Sequence, residues 1–102
     1  MRTRAAELFS IEHPVVLGGM AAATGPELVA AVSNAGGLGL MGAARRTRAE
    51  IEAAAEAIRS RTAKPWGFNL LLFSADEEAV ASVLAVRPPV FSTAWPWPEQ
   101  DL

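Results

Sequence analysis

The chain has 102 residues, a formal net charge of −2 and an apolar fraction of 51%. This composition is typical of a globular core, and the slightly acidic charge argues against a nucleic-acid partner. The absence of cysteine excludes disulfides, thiolate nucleophiles and cysteine metal sites, and it is compatible with a cytoplasmic location. The longest uncharged stretch, residues 28–44, is interrupted by glycines and is shorter than the roughly 20 apolar residues of a membrane helix, so we expect no membrane span.

The first predicted unit is a strand followed by a helix. Pro14–Leu17 is short, apolar and β-branched and stops at two glycines, which indicates a strand buried on both faces. Thr24 and Glu27 have the spacing of a capping box, which predicts that a helix begins there. Gly36 is placed to end this helix in the left-handed conformation. The apolar stripe predicted on the helix is Leu28, Ala31, Val32 and Ala35.

The second unit repeats this pattern. The chain re-enters the sheet at Leu38, and a second capping box, Thr47 with Glu50, predicts the next helix. The helix ends before Lys64-Pro65, and residues 66–72 form a third apolar strand. The apolar stripe predicted on this helix is Ile51, Ala54, Ala55 and Ile58.

The third unit begins with Ser74 and Glu77, whose spacing again fits a capping box. Val80, Val83 and Leu84 form its predicted stripe, and Pro88-Pro89 ends the helix before a strand at residues 90–94.

These units predict an α/β fold of parallel βα repeats, with four strands and three crossover helices. Parallel strands need such crossovers, and the crossovers are right-handed almost without exception. A closed (β/α)8 barrel takes roughly 250 residues, so four strands cannot complete one. We therefore expect residues 1–102 to be a partial barrel domain, the amino-terminal half of a TIM (β/α)8 barrel, with an irregular tail at residues 95–102.

The carboxyl ends of the predicted strands are the places where parallel α/β folds bind ligands. The first end carries Gly19, Met20 and Ala21, and the third carries Asn69. Backbone amides and small residues beside one carboxamide suit a flat, neutral ring with polar edges, such as a flavin. No strand end presents a carboxylate, histidine or lysine for proton transfer, so we predict no catalytic residue and no metal ligand here.

Several segments resemble the amino-terminal part of the nitronate monooxygenases, also called 2-nitropropane dioxygenases. They are IEHPVVLGGMA, PELVAAVSNAGGLGLMGA, KPWGFNLLLF and PPVFSTAW, in the same order and spacing, within residues 8–95. The resemblance implies an FMN-binding (β/α)8 barrel that oxidises alkyl nitronates with O2. Related flavin barrels, including a flavin-dependent enoyl reductase of fatty-acid synthesis, share much of the second segment.

The resemblance also implies roles for particular residues. The family lays the backbone of its first strand end along the flavin, which here is Gly19, Met20 and Ala21. The asparagine of its GxNL stretch contacts FMN and matches Asn69. The family's catalytic histidine and its phosphate-binding loops have no counterpart in this chain. We therefore expect the isolated chain to be inactive, with a missing C-terminal half-barrel or a second copy as its partner.

Other interpretations remain open at this point. The chain could be a small flavodoxin-like or half-barrel binding module without catalysis, or a fragment of an enoyl reductase-like barrel. Asn69 could satisfy loop backbone, which is common for asparagine at turns. His13 precedes the first strand, which places it away from the predicted site. The arginines at 45, 46 and 48 are interpreted as a solvated helix entrance, with phosphate binding as the alternative.

Overall fold

A computed structural model describes residues 2–20 and 23–95, which form one parallel sheet with helices between the strands. The strand order is β1-β2-β3-β4. This arrangement confirms the predicted α/β class and its crossover helices, α2, α3 and α4. The elements are α1 (Arg4–Phe9), β1 (Val16–Leu17), α2 (Pro26–Asn34), β2 (Leu38–Gly42), α3 (Arg48–Arg61), β3 (Trp66–Leu71), a 3-10 turn (Leu72–Ser74), α4 (Glu77–Ala85) and β4 (Val90–Ala94).

The core lies between the sheet and the helices. Phe68 on β3 is fully buried there, and the Trp66 ring packs edge-on against it with centroids 5.5 Å apart. Alternation along the strands sends Gly67 and Asn69 to the opposite face of the sheet. Helix α3 contributes its predicted stripe to this core, and all of its members are buried: Ile51, Ala54, Ala55 and Ile58.

Helix α2 packs on the sheet with a face that the periodicity did not predict. Its buried residues are Val29, Ala30 and Ser33, whereas Leu28 from the predicted stripe is 42% exposed. The cause is the close approach of this helix to Gly39, whose missing side chain leaves room for the backbone of Val29. The hydroxyl of Ser33 accepts a hydrogen bond from Gly39 N–H at 3.1 Å. The predicted apolar stripe is therefore wrong for α2.

Helix α3 begins with the predicted capping box. The Thr47 hydroxyl accepts from Glu50 N–H at 3.1 Å, and the Glu50 carboxylate accepts from Thr47 N–H at 3.2 Å. These bonds satisfy two backbone donors that a helix start otherwise leaves free. Gly36, which follows α2, has the predicted left-handed conformation, with φ of 103°.

The other two predicted capping boxes are wrong. The N-cap of α2 is Gly25, which has no side chain to cap the helix, and the Thr24 hydroxyl accepts instead from Met20 N–H and Gly42 N–H. The N-cap of α4 is Asp76, whose carboxylate accepts from Ala79 N–H at 2.8 Å, so this helix begins two residues later than the Ser74 box predicts. Helix α1, capped by Thr3, was not predicted at all.

The two outer strands of the sheet are less covered than the inner pair. On β1, Val16 is 47% exposed, so the prediction of a strand buried on both faces is wrong. It fails because, within the described part of the chain, β1 pairs with β2 alone and its other edge has no neighbouring strand. Leu84 of the predicted α4 stripe is also exposed. Within residues 2–20 and 23–95, no helix combines the length and apolar character that crossing a bilayer requires.

The contact between α2 and β2 predicts a large difference between two glycine substitutions. In Gly39→Ala the new methyl group would collide with the Val29 carbonyl, whereas in Gly18→Ala it would meet nothing within 4 Å. We expect Gly39→Ala to lower the free energy of unfolding by about 1–3 kcal/mol or more, as overpacking does. Gly18→Ala is the matched control. Urea unfolding followed by circular dichroism measures both, and equal midpoints would contradict the proposed packing.

The capping box of α3 predicts a pH dependence. Hydrogen bonds from the backbone and hydroxyl of Thr47 hold the pKa of the Glu50 carboxyl below its ordinary value. Because this pKa is lower in the folded state, the stabilisation is present above the ordinary glutamate pKa and is lost as pH falls through the lowered value. Thr47→Ala should raise the pKa of Glu50, as measured by NMR titration. Thr93→Ala, at an exposed position, should leave it unchanged.

Candidate functional site

The predicted cofactor residue Asn69 lies in the carboxyl half of β3, between β4 and the last residue of β2. The parallel register pairs it with Gly42 on β2 and Ser92 on β4. The Asn69 side chain is half-buried, and its amide donates a hydrogen bond to the Ser92 hydroxyl at 2.9 Å. This bond fixes the orientation of the carboxamide at the carboxyl end of the sheet.

The predicted residue Gly19 packs its backbone directly on this group. A Cβ placed on Gly19 would lie 3.0 Å from the Asn69 Cβ and 3.2 Å from the Gly42 Cα. The site therefore brings together the ends of β1, β2 and β3, which are separate in the sequence. Met20 follows with half of its surface exposed. Ala21, the remaining predicted residue, lies outside the described residues.

Two residues that were not predicted for the site make hydrogen bonds to the backbone of these strand ends. Thr24 is fully buried, and its hydroxyl accepts from Met20 N–H at 3.4 Å and from Gly42 N–H at 3.3 Å. Arg46 donates to the Gly42 carbonyl at 2.8 Å and to the Thr24 carbonyl at 3.5 Å. The interpretation of Arg46 as part of a solvated helix entrance is therefore wrong. Its place in the sequence, one residue before a capping box, gave no signal of this role.

Apart from Arg46, whose guanidinium is bound to the backbone carbonyls of Gly42 and Thr24, the groups named at the site are uncharged. A carboxamide, a hydroxyl and backbone groups surround the strand ends, and such groups donate and accept hydrogen bonds without ionising. Among residues 2–20 and 23–95, no cluster of three histidine, cysteine, aspartate or glutamate side chains could hold a metal ion. The arrangement can therefore bind and orient a polar ring.

The opposite end of the sheet holds different residues. His13 donates its backbone N–H to the Gly36 carbonyl at 2.9 Å, and its ring lies 3.3 Å from the Glu12 carboxylate. Gly36 is in the connection that leads into β2, so His13 lies at the amino ends of the strands, as predicted. A cavity of about 450 Å³ near Lys64 is lined by the same connections. Residues at this end of a (β/α) fold contribute to stability rather than catalysis.

The glycine pattern of residues 37–42 has a structural explanation. It fits GxGxxG, but it follows α2 and contains all of β2, whereas a dinucleotide site needs the pattern between a strand and a helix. Gly39 is small because α2 crosses it, and Gly42 lies against Gly19. The pattern therefore reflects close packing.

Four parallel strands, crossover helices and a site at the carboxyl ends of the strands define a partial (β/α)8 barrel. Residues 2–95 match the sequence pattern of the family described as nitronate monooxygenase. The chain belongs to this family.

Two curated relatives and one solved structure are similar to this chain in sequence or structure. An octahydro-indene carboxyl-CoA dehydrogenase of Rhodococcus jostii is 38% identical over the whole chain, which covers 29% of that protein. A probable nitronate monooxygenase of Staphylococcus aureus is 38% identical over 70% of the chain and 20% of the relative. The structure of FabK from Thermotoga maritima superposes with a TM-score of 0.86 and 39% identity, over 91% of this chain and 30% of that one. The chain thus spans less than a third of each.

Proposed function

We propose that this chain is the amino-terminal part of an FMN-dependent oxidoreductase that oxidises alkyl nitronates with O2. The observation that carries the proposal is the contact of Gly19 with Asn69 at the carboxyl end of the sheet. Family membership supports the reaction class, since the relatives described above include a monooxygenase and a dehydrogenase.

The residues at the strand ends fit a flavin ring. Because Gly19 carries no side chain, its backbone packs against Asn69 and Gly42, so these strand ends form one surface on which a flat ring could lie. Met20 presents a half-exposed apolar side chain beside them. The carboxamide of Asn69 is fixed by Ser92, and among the described residues we find no other hydrogen bond to it. It therefore has a carbonyl oxygen and an amide hydrogen left for the pyrimidine edge of the ring.

When bound, FMN would supply the redox chemistry between the nitronate and O2. The residues of this chain bind and orient the ring. An Asn69 amide hydrogen directed at the pyrimidine edge would stabilise negative charge there without itself ionising. The backbone of Gly19 and Met20 would lie along the ring and exclude water from one side of it.

The partner we propose is the C-terminal half of the barrel. The free edge of β1 carries Val15 and Val16, which are 59% and 47% exposed. At the other end of the sheet Leu84 on α4 and Trp95 after β4 are exposed. Unpaired parallel edges with apolar side chains are the surfaces that further βα units would cover. A second copy of the chain is the competing occupant, and that arrangement would make the chain a binding module.

A second candidate function is an enoyl reductase-like oxidoreductase that acts on a thioester. It is favoured by the Rhodococcus jostii relative, whose named substrate carries coenzyme A and which aligns with the whole chain. An assay of the barrel completed by its C-terminal half, with an alkyl nitronate and O2 and in parallel with NADH and an enoyl-CoA, separates the two candidates.

Completion of the barrel is testable by co-expression. We expect the isolated chain to bind FMN only weakly, because it lacks the loops that anchor the phosphate. Co-expression with the part of Thermotoga maritima FabK outside the matched region should give a one-to-one complex that retains flavin. Light scattering and flavin fluorescence measure both properties. A monomeric chain that binds FMN tightly by itself would refute the proposal, and a well-folded dimer without flavin would favour the binding module.

The role of Asn69 is testable in the completed barrel. Asn69→Ala should lower flavin retention about tenfold, the effect of losing one or two hydrogen bonds to a bound group. Asn34→Ala is the matched control, because Asn34 also makes side-chain hydrogen bonds, to Arg61 and Thr62, but lies at the end of α2. Absorbance of the bound flavin, measured against protein concentration, gives the retention. Equal flavin content in the two variants would remove Asn69 from the site.

A further inference from the structure

The side chain of Thr24 connects two strand ends of the candidate site. It is fully buried, and its hydroxyl lies within hydrogen-bond distance of Met20 N–H and of Gly42 N–H. Met20 belongs to the segment after β1, whereas Gly42 is the last residue of β2. The two N–H groups lie in different elements of the fold and both donate to the same hydroxyl, which therefore joins the two elements.

Arg46 also binds the backbone at the end of β2, through carbonyl groups. Its guanidinium donates to the carbonyls of Gly42 and Thr24, so Thr24 and Gly42 are joined through a cation as well as through the hydroxyl. Hydrogen bonds from a charged donor are stronger than those from a neutral one. The end of β2 is therefore restrained through both its N–H and its carbonyl group.

This restraint fixes the position of the Gly19-Met20 backbone, which faces the flavin in the proposed function. A Cβ on Gly19 would lie only 3.0 Å from the Asn69 Cβ, so the two residues are closely packed, and the next residue, Met20, donates its N–H to the Thr24 hydroxyl. We propose that Thr24 is a positioning residue that holds the Gly19-Met20 backbone and the end of β2 in one surface for the cofactor. The cofactor part of this inference rests on the proposed function.

Two substitutions separate the hydroxyl from the shape of the side chain. Thr24→Val keeps the volume and removes the acceptor, which leaves two amides without a partner, whereas Thr24→Ser keeps the hydroxyl and removes the methyl group. Thr93→Val, at an exposed position on β4, is the control. In the 102-residue chain, hydrogen exchange at Met20 and Gly42 should be about tenfold faster in Thr24→Val and near wild-type in Thr24→Ser. Unchanged exchange in Thr24→Val would overturn the inference.

The cofactor part is tested by titrating the same variants with FMN up to millimolar concentration. NMR shifts at the amides of Gly19, Met20, Gly42 and Asn69 report binding at the site. We expect Thr24→Val to weaken it about tenfold and Thr24→Ser to restore it, a rescue that a loss of packing would not give. Equal affinity in all variants would overturn the positioning role. If the unsubstituted chain shows no shifts, flavin retention of the same variants in the completed barrel decides the cofactor part, and wild-type retention in Thr24→Val would overturn it. The exchange measurement decides independently whether Thr24 joins the two strand ends.

Discussion

The parallel register of the central strands is the constraint on which the candidate site depends. Gly42, Asn69 and Ser92 come from three different strands, and only their pairing as neighbours places them in one row. Because every crossover helix returns the chain to the same end of the sheet, the carboxyl ends collect at a single edge. The hydrogen bond from Asn69 to Ser92 is a direct consequence of this register.

Close backbone contacts at glycine are the second feature that shapes the molecule. Gly39 lets α2 pack closely on the sheet, and Gly19 lets the segment after β1 pack closely against Asn69 and Gly42. In both places a methyl group would force the neighbouring elements apart, since protein interiors have no spare volume to absorb it. Both the fold and the site therefore depend on a glycine that permits close backbone packing. The buried hydroxyls of Ser33 and Thr24 accept hydrogen bonds from backbone amides next to these contacts.

Some parts of this structure could be read from the sequence because they depend on local interactions. The capping box of α3 and the left-handed residue Gly36 involve residues within one turn of each other. The stripe of α3 was predictable because this helix has only one apolar face. Helix α2 has apolar residues on more than one face, so periodicity could not decide which of them would meet β2. The exposure of Val16 depends on the absence of a neighbouring strand, which no local pattern records.

The sequence by itself determined the class of fold, the order of strands and helices, and the selection of Gly19 and Asn69 as residues at strand ends. These follow from spacing and from the rule that parallel strands need crossovers. Only the tertiary structure decided that Thr24 turns away from its helix to bind the amides of Met20 and Gly42, and that Arg46 joins it. The physical reason is that a buried hydroxyl binds whichever backbone donors the packing leaves without a partner, and distant strands supply those donors here.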